Sequence, residues 1–212
     1  MSKMISVIMP SLLKPYGMSI GLVCATNRRD KLIRAIDSFI LQNCHSELIL
    51  ISDECDETVQ IYKELYSKFP NIICDRVTHE TDFSGKPRTR GLELATGDLI
   101  CYLDNDDFFG VGHLDQIGNQ FTDEVDWVYY NDHIVNRFIN MEHYTYKVRD
   151  IQKACGHITT GAFAHRNIKG LVWPDGYDHD WRLLSSNFLD KPNKKIDLCS
   201  YNTCHTANGG NF

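Results

Sequence analysis

Three carboxylates crowd into four residues where the segment "LICYLDNDDFFG" (99–110) runs from an apolar stretch into Asp104, Asn105, Asp106 and Asp107. Like charges this close repel one another and resist leaving water. Such a cluster is either a well-solvated turn or the seat of a cation. In an extended segment alternate side chains share a face, so Asp104 and Asp106 point together while Asn105 points away. Two hard oxygen ligands at that spacing suit Mg2+ or Mn2+, above all where substrate phosphates complete the shell. An EF-hand reading puts Asp104, Asp106 and Asp115 at loop positions 1, 3 and 12, but Phe108 at position 5 and the missing glycine at position 6 defeat it. The bland alternative is an Asp/Asn turn capping the next helix.

A second pair of carboxylates, Asp178 and Asp180, stands in "GYDHDWRLL" (176–184) at the start of a helix-like stretch. A carboxylate in such a place can take the proton of an attacking hydroxyl, or simply stabilise a helix N-terminus. Cys199, Cys204 and His205 suggest zinc, but C-x4-C-H lacks a second ligand pair at zinc-site spacing.

Elements must bring these groups together. "MSIGLVCAT" (18–26) reads as a first strand, and Leu32, Ala35, Ile36, Phe39 and Ile40 recur after it at helical spacing, with Thr26 or Asn27 as N-cap. "ELILIS" (47–52), "NIICDRV" (71–77) and "DLICYL" (98–103) read as further strands, separated by helix-like "TVQIYKELYSKF" and "KPRTRGLELAT". This β-α alternation predicts an α/β fold with a mostly parallel sheet, whose ligands bind beyond the carboxyl ends of the strands. "TNRR", "SDECD" and "DNDD" all fall at such ends. Beyond 110, "HLDQIGNQF" predicts a short helix, "VDWVYYNDHIV" (125–135) a strand and "HYTYKV" its antiparallel partner. "ITTGAFAH" (158–165) predicts a strand, "DHDWRLLSSNFL" (178–189) a helix and "KKIDLCSYNTC" (194–204) a last strand. No repeat or linker divides the 212 residues, so one domain is expected.

At 42% apolar and 24% charged, the composition is that of a globular protein, and a net charge of −6 argues against a nucleic-acid binder. No run approaches the ~18 apolar residues of a membrane span, and the broken opening "MSKMISVIMPSLLKPYG" lacks a signal-peptide core. A cytoplasmic setting with reduced cysteines is the expectation.

Upstream of the aspartates, "GKPRTRGLELATGDLICYLDNDD" (85–107) places Arg88, Gly91, Ala95 and Gly97 at fixed intervals before Asp104, Asp106 and Asp107. This composite, R-x-x-G-x-x-x-A-x-G followed by a strand and D-x-D-D, resembles the signature of GT-A fold glycosyltransferases, family 2 in particular. The likeness covers residues 18–107 well and 158–205 loosely.

That resemblance implies a GT-A, Rossmann-like sheet with a small antiparallel C-terminal portion: a nucleotide-sugar half (18–107) and an acceptor half (108–212). It implies a UDP-sugar donor, its uracil held by Thr26 with Asn27 or Arg28 and by Asp53, and Arg88 engaging uracil or phosphate. Asp104 and Asn105 would meet the donor, and Asp104, Asp106 and a C-terminal His205 a Mn2+ (or Mg2+) ion. Asp180 would be the general base, with His179 where the family usually has Glu, a departure that leaves Asp178 as a rival. Gly97 would let the chain turn from helix into strand. The implied acceptor is a glycan or glycoprotein hydroxyl. A looser resemblance, to a compact viral glycosyltransferase domain acting on capsid glycans, would make the setting a host cell's cytoplasm. Two other readings compete: a sugar-phosphate nucleotidyltransferase, disfavoured because "CATNRRDK" has no glycine, and a non-catalytic nucleotide-sugar module. Trp173 and Trp181 could stack on sugars or sit in the core.

Overall fold

The computed structural model describes residues 3–13, 28–80, 83–137 and 144–204. Its strands are β1 (Ile5–Ser11), β2 (Ser46–Asp53), β3 (Ile72–Val77), β4 (Leu99–Tyr102), β5 (Phe108–Phe109), β6 (Trp127–Arg137), β7 (Tyr144–Arg149), β8 (Phe163–Arg166) and β9 (Asn193–Thr203). Between them run helices α1 (Arg28–Ile40), α2 (Asp56–Ile61, continuing as a π-helical turn over Tyr62–Tyr66), α3 (Gly85–Leu94), α4 (His113–Gly118) and α5 (His179–Asn187).

All nine strands join one sheet in the order β3-β2-β1-β4-β8-β6-β9-β5, with β7 added on β6. β3, β2, β1 and β4 are mutually parallel. From β8 onward the pairing is mostly antiparallel, except that β9 runs parallel to β6. The expected α/β class and antiparallel C-terminal portion are thus present. The chain leaves β1 towards β2 and β3 and then returns as β4 on the other side of β1. The carboxyl ends of β1 and β4 therefore flank the point where strand order reverses, which is where open α/β sheets bind ligands.

The first strand of this sheet is Ile5–Ser11, not a segment after residue 17; the strand expected at 18–26 lies outside the described residues. Every residue of β1 is buried, as a strand covered on both faces requires. Pro10 obscured that run in the sequence, yet it costs little. The amide of Leu103 donates to the carbonyl of Ile8, so Ile8 and, by alternation, Pro10 address β4, whose ladder ends at Ile8 opposite Tyr102. Alternation also divides the core. Val7 and Met9 pack with Leu32, Ile36 and Phe39 of α1, while Ile8 packs with Leu92 of α3 and Leu184 of α5.

The small residues of the signature serve space. A Cβ on Gly91 would lie 2.4 Å from Ile8 Cγ2, so glycine lets α3 sit down on β1. Gly97, expected to turn the chain, has no left-handed φ. Instead a Cβ there would lie 2.8 Å from the Met4 carbonyl oxygen, and its own amide donates to Ser6 Oγ at 2.8 Å.

One aspartate of the acidic run is internal. Asp107 is 5% exposed; its Oδ2 accepts from the Tyr201 hydroxyl at 2.8 Å and its Oδ1 from the Cys204 amide at 2.7 Å. This clasp draws the end of β9 onto the loop that follows β4. Burial pushes the Asp107 carboxyl well above the carboxylate range, and Asp106 and Asp104 add to the effect.

Two predictions follow from these contacts. Gly91→Ala overpacks the α3–β1 contact and lowers the urea midpoint by an amount equivalent to about 1–3 kcal/mol; an unchanged midpoint would mean that Ile8 yields freely. Asp107→Ala leaves its two donors unpartnered and costs about 2–4 kcal/mol, whereas Asp107→Asn costs much less. Because the folded pKa is raised, the folded chain keeps a proton that the unfolded chain loses. Stability from this group is then complete below the ordinary carboxylate pKa and falls as pH rises towards the folded value. Denaturation curves across pH should show that decline in the parent chain and a flatter profile in Asp107→Asn.

Candidate active site

The residues after β4 do not continue as an extended strand. The Asp107 amide donates to the Asp104 carbonyl at 3.1 Å and closes a turn, so the expected strand-like alternation of Asp104 and Asp106 does not hold. Each of these two carboxylates instead faces a cation from a different helix. Arg88 Nη2 of α3 donates to Asp104 Oδ1 at 2.7 Å, and Lys31 Nζ of α1 lies 3.9 Å from Asp106 Oδ2. Arg34, also on α1, donates to the Asp106 carbonyl at 2.6 Å. Asn105 Nδ2 reaches across the crevice to Ser11 Oγ at 3.3 Å, which ties this loop to the end of β1.

Arg88 is the centre of the arrangement. It is 3% exposed, its Nη1 donates to Ser84 Oγ at 2.6 Å, and its guanidinium lies 5.0 Å from the centroid of the Trp173 ring. Trp173 is itself buried and so serves as the floor beneath a charge, not as a sugar platform; Trp181 is partly buried in the same core. The strap carrying Trp173 is stitched to α3, because the Trp173 amide donates to Thr89 Oγ1 at 2.9 Å.

That stitching delivers α5. His179 Nε2 lies 3.3 Å from Arg88 Nη1 and 2.8 Å from Asp180 Oδ1, while Thr160 Oγ1 donates to the same Asp180 oxygen at 2.5 Å. Among the described residues Asp180 Oδ2 has no hydrogen-bond partner. Burial by itself would raise the Asp180 pKa, but His179, Arg88 and Thr160 outweigh it and hold the group below its usual range. Asp178 stands apart: it caps α5 from a left-handed conformation (φ 54°), is exposed, and makes no side-chain cap bond.

Of the residues expected to hold a nucleobase, Asp53 ends β2 buried, and its Oδ2 lies 2.8 Å from His79 Nδ1. Arg28 Nη1 donates to the Leu12 carbonyl at 3.2 Å. Thr26, Asn27 and His205 lie outside the described residues. Cys204, the residue before His205, is held against the acidic loop through Asp107 and lies within 3.5 Å of Lys31 Nζ through its carbonyl. The cysteines at 44, 55, 74, 101, 155, 199 and 204 are free thiols.

The residues that sequence reasoning missed are His79, Thr160, Lys31, Arg34 and Tyr201. Only His79 left a signal, since it follows β3 as Asp53 closes β2 and so shares the rim. A separate groove of about 560 Å3 opens at the amino ends of β1 and β2 beside Lys3, His45 and Asp115, and shares no residue with this cluster.

Among the described residues no three carboxylate, imidazole or thiol groups converge into a self-sufficient metal centre. A cation held by Asp104 or Asp106 would have to take most of its shell from phosphate oxygens and water. No helix among the described residues is long and apolar enough to cross a membrane.

The chain is similar to an uncharacterized glycosyltransferase, YwdF, of Bacillus subtilis (strain 168), 28% identical over 120 residues, 56% of this chain and 44% of that one. It is also similar to the amylovoran biosynthesis glycosyltransferase AmsB of Erwinia amylovora, 31% identical over 86 residues, 39% of this chain and 29% of the relative. The matches thus span less than half the length of these relatives. In fold, S. aureus TarS 1–349 in complex with UDP superposes with a TM-score of 0.66 at 16% identity, over 95% of this chain and 60% of that one. The mannosyltransferase PcManGT of Pyrobaculum calidifontis, in complex with GDP-Man and Mn2+, gives 0.64 at 14% identity, over 94% and 56%. A model of one family matches residues 22–167, more than half of the chain, and the chain belongs to that family, glycosyl transferase family 2.

Proposed function

We propose that this chain transfers a hexose or deoxyhexose from a UDP-sugar to an acceptor hydroxyl of a glycan or glycoprotein, with inversion at the sugar carbon, and that Asp180 is the general base. The observation that carries the reading is the state of the Asp180 carboxylate. One oxygen is pinned by Thr160 and His179, which leads on to the Arg88–Asp104 pair, and the other has no partner among the described residues. A base held ionised and oriented, with one oxygen to spare, is what proton removal from an attacking hydroxyl requires.

On the donor side, Asp53 with His79 offers a polar contact for a nucleobase at the end of β2. Arg28, Lys31 and Arg34 line α1 on the side of the acidic loop and supply positive charge for a diphosphate. Asp104 and Asp106, with His205, would hold Mn2+ or Mg2+. When bound, such an ion neutralises charge on the departing diphosphate as a Lewis acid. The acceptor hydroxyl displaces UDP at the anomeric carbon, and its proton passes to Asp180 Oδ2.

Two measurements test this. In a thermal-shift screen of UDP, GDP and CDP with and without Mn2+, UDP with Mn2+ should raise the melting temperature most; stabilisation by GDP or CDP alone would overturn the choice of base. Asp180→Asn should lower the rate of sugar release from the preferred UDP-sugar about 10²–10⁴-fold while leaving the UDP-induced shift intact. Unchanged turnover in that variant would remove Asp180 from its role.

A further inference from the structure

His179 occupies a position with incompatible demands. Its Nδ1 faces the Gly176 carbonyl oxygen at 3.2 Å, a contact made only if Nδ1 carries the proton. Its Nε2 then has two claimants. Arg88 Nη1, at 3.3 Å, is a donor and asks Nε2 to accept. Asp180 Oδ1, at 2.8 Å, is an acceptor while ionised and asks Nε2 to donate. A neutral ring satisfies Gly176 and Arg88; an imidazolium satisfies Gly176 and Asp180. No single state satisfies all three.

We propose that His179 is a positioning residue that links the donor rim to the base, its Nε2 turning between acceptance from Arg88 and donation to Asp180. This rests on the reading of Asp180 as base. The charged groups that face the ring are Arg88 from α3, with Asp104 behind it at the end of β4, and Asp180 on α5 itself. The rings of Phe83, at 6.4 Å, and Trp173, at 6.0 Å, stand beside it, and the side chain keeps 19% exposure to water. Arg88 at present shares its charge with Asp104. If the charge on Asp104 is neutralised, Arg88 is left less compensated, and a second cation beside it at His179 becomes less favourable. Nε2 then accepts from Arg88 instead of donating to Asp180 Oδ1, and the carboxylate, short of one donor, becomes the stronger base. Occupancy of the donor rim would thus arm the base some residues away. With the ring protonated, the imidazolium and Thr160 hold Asp180 as an oriented but weak base, in keeping with its lowered pKa.

The test combines a spectroscopic and a kinetic reading on the full chain. Long-range 1H–15N spectra of histidine-labelled protein should show the His179 Nε2 resonance moving towards the unprotonated value in Asp180→Asn, and towards the protonated value in Arg88→Met. Identical Nε2 positions in the parent and both variants would overturn the link, whether or not the chain turns over a donor. In UDP-sugar hydrolysis, His179→Phe should lower kcat on the order of 10- to 100-fold, part of what a general base contributes, with donor KM within about threefold. The acid limb of its pH profile should move to higher pH, because Asp180 loses a neighbour that lowered its pKa. His179→Gln restores a neutral donor, and so should recover part of the rate while keeping the displaced limb. A limb that stays in place, or an effect confined to KM, would overturn the inference. Loss of activity in Asp180→Asn alongside an indifferent His179→Phe would do so while leaving the proposed function standing.

Discussion

A guanidinium removed from water needs its charge compensated, and in this chain that requirement organises the site, although Arg88 Nε has no hydrogen-bond partner among the described residues. Arg88 retains 3% exposure and meets a carboxylate at Asp104, a hydroxyl at Ser84, an indole face at Trp173 and an imidazole at His179. Removing one partner from a fully buried ion pair costs about 3–5 kcal/mol, because the remaining charge is stranded; here the cost is lower, since the Asp104 side chain keeps 34% exposure. The elements that bring these partners must therefore hold their places together. Gly91 lets α3 lie close on β1, the turn after β4 aims Asp104 inward, and Thr89 secures the strap that leads into α5. The acidic loop after β4 and the His179–Asp180 cluster are two ends of one charge arrangement.

Much of the frame was legible in the sequence. The runs at 47–52, 71–77 and 98–103 are apolar and bounded by polar residues, and β2, β3 and β4 appear where they were expected. The composite from Arg88 to Asp107 was legible because each member meets a local need: space at Gly91 and Gly97, charge at Arg88, acidity at the turn. β1 was not, because Pro10 breaks the pattern that marks a strand while lying beyond the β4 ladder where its missing amide does no harm.

What stayed hidden depends on long-range meetings. Thr160 and Asp180 are 20 residues apart in sequence and Asp53 and His79 are 26 apart, with no periodicity to announce either pair. The three aspartates of the acidic run looked alike, yet one is a buried clasp for β9, one is gripped by Arg88 and one is about half exposed beside Lys31. Spacing distinguishes residue types; it does not distinguish depth. Asp178 and Asp180 looked alike in the same way and differ in depth: Asp180 turns into the cluster on the first turn of α5, while Asp178 is exposed.

The clasp between Asp107 and the end of β9 has a consequence for how the molecule comes apart. The Arg88–Asp104 pair closes a loop of 16 residues, whereas Arg88 to His179 spans 91 and Tyr201 to Asp107 spans 94. Contacts of such separation form late and are among the first lost when a protein opens piecemeal, since the chain they restrain is longest. The acidic loop is tied just as distantly, since Asn105 to Ser11 spans 94 residues and Arg34 to Asp106 spans 72, so the loop after β4 and the α5 side hold or open together. Gentle heating or dilute denaturant would then release the two ends of the Arg88 cluster in one step, with no half-open species that keeps only one of them.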